Sequence, residues 1–362
     1  MLSAFQIAAS VASARSPKPI LQNVKLEVTP NQATFMATDL EVGIRVQMEG
    51  LEVLAAGNAI LPVDRFGAIL RESSDQHLHI ESTEKGMRVR GERSRFELPS
   101  GNPDEFPPVV EFAEEKYHEL PARAFRELVR RTVFATDVES SRYALGGVLL
   151  EFESDKITAV GTDGRRLAKM EAEAQVHGDH QGGDSTTIVP SKSMHLIERA
   201  LVDEQGSVCL AARNNDILIK TPRMVISSRL VEGRFPRWRD VFPQRSGGIR
   251  IDLTVGPTYA AVRQASVVNN KESRGVELLF GEGTLIMAAA TAEVGESRVE
   301  FPLAYDGEPL KVTLDHRYVA DFLRVLDPQS IVTLEVQGSE SAALFTTDDG
   351  YAYVVMPMSS EG

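Results

Sequence analysis

NVKLEVTPNQATFMATD, from Asn23 to Asp39, and GVLLEFESDKITAVGTD, from Gly147 to Asp163, are one pattern written twice. Val24 aligns with Val148, Leu26 with Leu150, Thr38 with Thr162 and Asp39 with Asp163, 124 positions apart each time and without a gap. A third copy, GVELLFGEGTLIMAAAT, starts at Gly275, where Val276 and Leu278 fall 252 positions beyond Val24 and Leu26. Apolar residues at alternate positions, interrupted by a polar turn, predict two antiparallel strands in each copy.

The flanks repeat as well. SAFQIAASVASA, ARAFRELVRRTVFATD and PTYAAVRQASVVNN precede the three copies, and ILPVDRFGAILRE, IVPSKSMHLIERAL and VTLDHRYVADFLRVL follow them, all with helical spacing of apolar residues. EFPPV at 105–109 and RFPRWRDVFP at 234–243 close two of the units alike. The chain therefore reads as three homologous α+β domains, 1–114, 115–243 and 244–362, with EFAEEKYHELP and PQRSGGIR as linkers. Each unit is large enough for its own core, unlike a solenoid repeat. Sheets laid side by side leave an unpaired edge at each end of the chain, which a second copy joined head to tail satisfies, in a ring if the rotation closes.

At 362 residues, two or three domains are the natural expectation, and 42% hydrophobic with 25% charged residues is ordinary for a globular chain. The lone Cys209 excludes an intrachain disulfide framework and any multi-cysteine metal site, and its expected role is a small buried hydrophobe. No apolar run has the length of a membrane span. LSAFQIAASVASA ends in a small-residue A-S-A, but no Lys or Arg precedes it and polar residues dilute it, so it is not read as a signal peptide and a reducing cytoplasmic compartment is expected.

No phosphate-binding loop, dinucleotide fingerprint, nucleophile elbow or zinc-protease helix is present, so no catalytic residue, cofactor or metal ligand is assigned. His77 and His79 fall on one strand face, and His177 and His180 in the polar loop QVHGDHQGGDS; all read as solvated histidines. TTDDG at 346–350 has turn composition without the spaced acidic ligands of a calcium loop.

A net charge of −13 argues on average against a nucleic-acid binder. The positive charge is concentrated, however. Arg123, Arg126 and Arg130 recur at i, i+3 and i+7 on the helix after Pro121, with Arg131 beside them, a spacing of like charges that costs a helix roughly 0.2–0.5 kcal/mol per pair. Arg65 and Arg71, Lys192 and Arg199, Arg263, and Arg317 with Arg324 sit on the other helical segments, and Arg15 and Lys18 follow the first. Scattered cations of this kind suit a loose, sequence-blind contact with duplex phosphates. No base-reading helix or stacking platform accompanies them.

GTDGRRLAK at 161–169 poses a narrower question. Asp-Gly accounts for a tight turn, but not for Arg165, Arg166 and Leu167 on its exit.

The chain resembles the bacterial DNA polymerase III beta subunit, the sliding-clamp family, over nearly its whole length. The resemblance rests on KPILQNVKLEV, RSRFELPSGNPDEFPPV, ESSRYALGGVLLEF, GTDGRRLA, SRLVEGRFPRWRDVFP, VVNNKESRGVEL and YVVMPM, in that order. It implies three clamp domains, each of two helices packed on antiparallel sheets, in a head-to-tail homodimeric ring around duplex DNA. It also implies a non-enzymatic function: holding the catalytic subunit of polymerase III on its template once a clamp loader has opened the ring, in a cytoplasmic, nucleoid-associated setting. A pocket for short peptides of polymerases, loader and repair proteins is implied at Thr162, Gly164, Arg165, Arg166 and Leu167, with Pro243, Val354, Met356, Pro357 and Met358. Arg15, Lys18, Arg65, Arg71, Arg123, Arg126, Arg130, Lys192, Arg199, Arg263, Arg317 and Arg324 would face the DNA. Three departures are visible: no strand before the first helix, MPMSSEG without the family's Arg after MPM, and LDHRYVADFL where Asn and a Leu-rich run are common. The first of these motivates the alternative of a peptide-binding scaffold that never closes around DNA.

Overall fold

A computed structural model describes the chain apart from residues 84–85, 138–142, 183–185, 202–204, 243–247 and 359–362. The paired helices expected around each copy are α1 (Leu2–Ala9) and α2 (Val63–Glu72), α3 (Ala122–Arg130) and α4 (Ser191–Ala200), and α5 (Val255–Ala265) and α6 (His316–Arg324). Helix α3 forms where Phe125, Leu128 and Val129 recur at helical spacing, and all three are buried. Helix α6 starts at Asp315, whose carboxylate accepts a hydrogen bond from the Arg317 amide and so satisfies a donor that the first turn leaves free.

The repeated strands are Asn23–Thr29 with Gln32–Thr38, Gly147–Phe152 with Lys156–Thr162, and Gly275–Gly281 with Thr284–Thr291. Val24, Val148 and Val276 are all within 1% of complete burial, so the aligned positions fill equivalent places in three cores. In the first core Phe5 of α1 packs edge-on against Phe35 and Phe66, at 5.5 and 5.0 Å between ring centres.

The described residues divide into two compact units: Met1–Arg126, Phe152–Lys156 and Glu173–Val231 form one, and Glu127–Glu151, Ile157–Ala172 and Glu232–Gly362 the other. The division cuts through the middle repeat because its sheets continue into its neighbours. In the first unit the sheet order is Gln175–His177, Tyr117–Pro121, Ser207–Ala212, Asp216–Lys220, Met224–Arg229, Val42–Met48, Gln32–Thr38, Asn23–Thr29 and Gly57–Pro62. The join between repeats is antiparallel, with Met224 opposite Val46 and Ile226 opposite Ile44. In the second unit Arg166–Glu173 pairs with Ala352–Val355, placing Leu167 opposite Val354. Separate smaller sheets run His79–Thr83, Gly86–Arg90, Arg95–Leu98 in the first repeat and Gly295–Pro302, Thr284–Thr291, Gly275–Gly281, Leu310–Asp315 in the third.

Two expectations need correction. EFAEEKYHELP is only partly a linker, because Tyr117–Pro121 is a strand with His118 and Leu120 buried. His180 is not solvated either: it is 7% exposed and shares a hydrogen bond with the fully buried His118, Nδ1 to Nδ1 at 2.8 Å. The pair is satisfied with both rings neutral. His118 Nε2 donates to the Glu153 carbonyl at 2.6 Å, and His180 Nε2 accepts from the Ala212 amide at 3.0 Å. His180 Nδ1 is then the donor between the rings. His177 ends the strand Gln175–His177 and stacks on Tyr117, while His77 and His79 are exposed as expected. Cys209 is partly buried, and among the described residues no group of three or more His, Cys, Asp or Glu could hold a metal ion. Among them, too, no helix is long and apolar enough to cross a membrane.

Candidate peptide-binding site and basic helices

The turn at Thr162–Arg166 is built from its own side chains. Thr162 Oγ1 donates to the Arg166 carbonyl at 2.7 Å and accepts from the Gly164 amide at 3.1 Å, and Asp163 Oδ1 accepts from the amides of Arg165 and Arg166 at 2.9 and 3.0 Å. Gly164 sits at φ +87°, the left-handed region that costs a residue with a Cβ. The first repeat makes the same turn. Thr38 Oγ1 donates to the Val42 carbonyl at 2.8 Å and accepts from the Leu40 amide at 3.0 Å, while Asp39 Oδ1 accepts from the Val42 amide at 2.8 Å. Leu40 there adopts φ 79° without the help of glycine. The Thr-Asp turn is thus a feature of the repeat, and what distinguishes the second copy is the arginine where the first has Val42.

Arg166 is a hub. Its Nε donates to Asp163 at 3.0 Å, Nη1 to Asp321 of α6 at 2.8 Å and Nη2 to the Phe134 carbonyl at 2.8 Å. The guanidinium also lies over the Tyr318 ring, 4.4 Å from its centre. Burial disfavours its charge, but Tyr353, Asp321 and Asp163 outweigh that and hold its pKa above the ordinary arginine value. Beneath it Phe322 stacks on Tyr353 at 4.8 Å, and the Tyr353 hydroxyl donates to the Tyr318 carbonyl at 3.0 Å. Asp163, Phe134, Tyr318, Asp321 and Tyr353 therefore belong to the site's frame, though sequence reading singled out none of them. Only Asp163 carried a signal, through its repeat partner Asp39.

The described residues of the expected pocket lie together in the second unit but present different amounts of surface. The Met356 amide donates to the Arg165 carbonyl at 2.9 Å, and the Met358 amide to the Thr313 carbonyl at 2.9 Å, which pins the C-terminal strand's exit beside the turn. Met356 is 47% exposed, Gly164 and Arg165 are exposed, and Pro357 and Met358 are half-buried. Thr162, Leu167 and Val354 are buried, so they support the surface from below. Pro243 lies outside the described residues. The accessible part is a small apolar rim of Met356, Pro357 and Met358 next to a cationic Arg165. An extended peptide with flexible apolar anchors fits a surface of that kind.

Ten of the twelve expected DNA-facing cations are exposed, and Arg126 and Arg130 are half-buried. Several are already engaged: Arg130 with Glu127 at 2.7 Å, Arg317 with Asp315 at 2.6 Å, Arg324 with Asp321 at 3.1 Å, and Lys192 with Asp39. No ion pair among the described residues takes up Arg15, Lys18, Arg65, Arg71, Arg123, Arg126, Arg199 or Arg263. Arg126 and Arg123 leave the α3 stripe cationic, while Glu127 neutralises part of it.

Residues 1–110, 119–237 and 239–359 match the family models of the N-terminal, central and C-terminal domains of the DNA polymerase III beta subunit. A beta sliding clamp from Pseudomonas putida is 33% identical over 99% of this chain and 97% of its own length. One from Chlamydia pneumoniae is 29% identical over 96% of this chain and 94% of its own. The crystal structure of the DNA polymerase III subunit beta from Pseudomonas aeruginosa superposes with a TM-score of 0.88 at 28% identity, covering 99% of this chain and 97% of that one. A sliding clamp of the same organism bound to griselimycin gives a TM-score of 0.91 at 29% identity, with 99% and 97% covered.

Proposed function

The chain belongs to the DNA polymerase III beta subunit family and is a DNA sliding clamp of three clamp domains; from that footing we propose that two copies close head to tail around duplex DNA and tether polymerase without chemistry of their own. The observation that carries the proposal is the match of all three domains, in order, to the family, with a sliding clamp alike over 99% of this chain and 97% of its own length. Two free sheet edges support the closure: Arg95–Leu98 ends the small sheet of the first repeat and Gly295–Pro302 that of the third. Domain limits at Glu114 and Pro243 are part of this reading. The scaffold alternative is not favoured, since a chain alike over its full length to named sliding clamps gives no reason to divorce it from DNA.

In this reading the free arginines of the helices meet phosphates, and the acidic remainder keeps the protein off bulk nucleic acid. The rim at Met356–Met358 takes extended peptides of the polymerase III catalytic subunit, the clamp loader and other polymerases or repair proteins, in the cytoplasm. Primer extension on a long, singly primed circular template tests the function. With loader and polymerase present, product length should rise with this protein and return to the clamp-free length when Met356 and Met358 are both changed to Ala. Product length indifferent to the protein would overturn the proposal.

A further inference from the structure

The frame that carries Met356–Met358 is built a second time, inside the first unit, where the first repeat joins the second. Val42–Met48 pairs there with Met224–Arg229 as Arg166–Glu173 pairs with Ala352–Val355, and Ser228 lies opposite Val42 as Val355 lies opposite Arg166. The Arg229 amide donates to the Glu41 carbonyl at 2.9 Å, matching Met356 on Arg165. The Val231 amide donates to the Ile188 carbonyl at 2.8 Å, matching Met358 on Thr313. Ile188 and Thr313 each belong to the strand that runs into the flanking helix, Thr187–Pro190 before α4 and Leu310–Asp315 before α6. Arg229–Val231 therefore stands in the place of Met356–Met358, and Leu40 and Glu41 in the places of Gly164 and Arg165.

The two frames carry different surfaces. Where Arg166 forms its hub, the first copy has a buried Val42, and the Ser228 hydroxyl donates to that of Ser193 at 2.7 Å below it. The exposed apolar side chain moves from the strand exit to the turn: Arg229 is exposed where the other copy has Met356, and Leu40 is 43% exposed where it has Gly164. Leu230 and Val231 are half-buried, as Pro357 and Met358 are. Leu40 holds its positive φ of 79° at a steric cost that partial burial does little to offset, and such an outlier on a surface points to a use. Charge differs too: Glu41 replaces Arg165, with the cation Arg229 beside it, and no ion pair among the described residues takes up either one.

Taking the peptide reading of Met356–Met358 as premise, we propose that this second rim binds an extended segment of a partner protein of a different chemistry. An apolar side chain of the segment seats against Leu40, Leu230 and Val231, between a basic residue facing Glu41 and an acidic residue facing Arg229. The paired opposite charges make the rim a reader of charge order, which the single cation Arg165 at the other rim is not.

The probe is a fluorescein-labelled synthetic peptide with leucines at alternate positions, lysine on their amino side and glutamate on their carboxyl side, together with its charge-reversed twin. Both are titrated by fluorescence anisotropy against the full chain carrying Met356→Ala and Met358→Ala, which silences the other rim. One twin should bind about fivefold more tightly than the other. Glu41→Arg with Arg229→Glu should invert that preference. Leu40→Gly, which relieves the turn, should weaken both twins about fivefold without lowering Tm. Twins of equal affinity, a preference that survives the charge exchange, or no binding of either twin would overturn the proposal. A clamp-motif peptide titrated against the parent and the Met356→Ala, Met358→Ala chain reports on the other rim, so the two rims fail separately.

Discussion

Leu40 and Gly164 occupy the same place in two copies of one turn, and both hold positive φ, at 79° and 87°. Only glycine does so without steric cost, and Leu40 is 43% exposed, so little burial is lost by removing it. We predict that Leu40→Gly stabilises the protein by about 1 kcal/mol and Gly164→Ala destabilises it by a similar amount. Urea midpoints at unchanged slope measure both; a Leu40→Gly midpoint below the parent's would contradict the shared-turn account. At Arg166 the stakes are larger. Removing it leaves Asp163 without its cation and Asp321 with Arg324 alone, at 14% and 28% side-chain exposure. Breaking a buried pair costs about 3–5 kcal/mol, and partial hydration of Asp321 puts Arg166→Ala at about 2–3 kcal/mol. Leu167→Ala with Met358→Ala should weaken a clamp-motif peptide and leave dimerisation intact; unchanged peptide affinity in a fluorescence titration would remove the assignment.

Among the elements, the strand Tyr117–Pro121 and the loop after Gln175–His177, which bring the histidine pair together, set a pH dependence. Burial depresses the pKa of both His118 and His180 below the ordinary histidine value, opposed by the Glu153 and Ala212 backbone contacts, while His177 disfavours charge on His118 and Glu114 favours it on His180. The unfolded chain therefore binds more protons than the folded one as pH falls below about 6.5, and stability contributed by the neutral pair is lost from there downward. Thermal unfolding between about pH 7.5 and 5.5 checks this: Tm should fall across that window, and His118→Gln should flatten the fall. A parent Tm that climbs as pH drops would contradict it. Helix α3 yields a second expectation. Reversing Arg126 and Arg130 to Glu should reduce retention on DNA at low salt far more than it affects peptide binding, since phosphate contacts are salt-dependent and the peptide rim lies on other elements. Equal loss of both would point to misfolding instead.

Across the whole molecule, the threefold repeat, the six helices and the antiparallel pairs were legible because apolar spacing and gap-free offsets record burial directly. Tyr117–Pro121 was not, since His118 and Glu119 disguise its alternation. The buried His180 was missed for the same reason: polar side chains enter a core when partners satisfy them, and partners 62 residues away leave no local trace. The turn GTDGRRL was visible as a peculiarity, whereas the role of Arg166 depended on Asp321, which lies 155 residues further on. The exposure of the pocket residues was equally hidden, because Leu167 and Met356 are both apolar in sequence and only the sheet decides that one supports and the other faces outward.

Retention on circular DNA tests ring closure most directly. Loaded onto a nicked plasmid and separated from free protein by gel filtration, the clamp should travel with the circle and come off when a single cut linearises it. Protein that stays bound after linearisation, or never remains on the circle, would contradict encirclement.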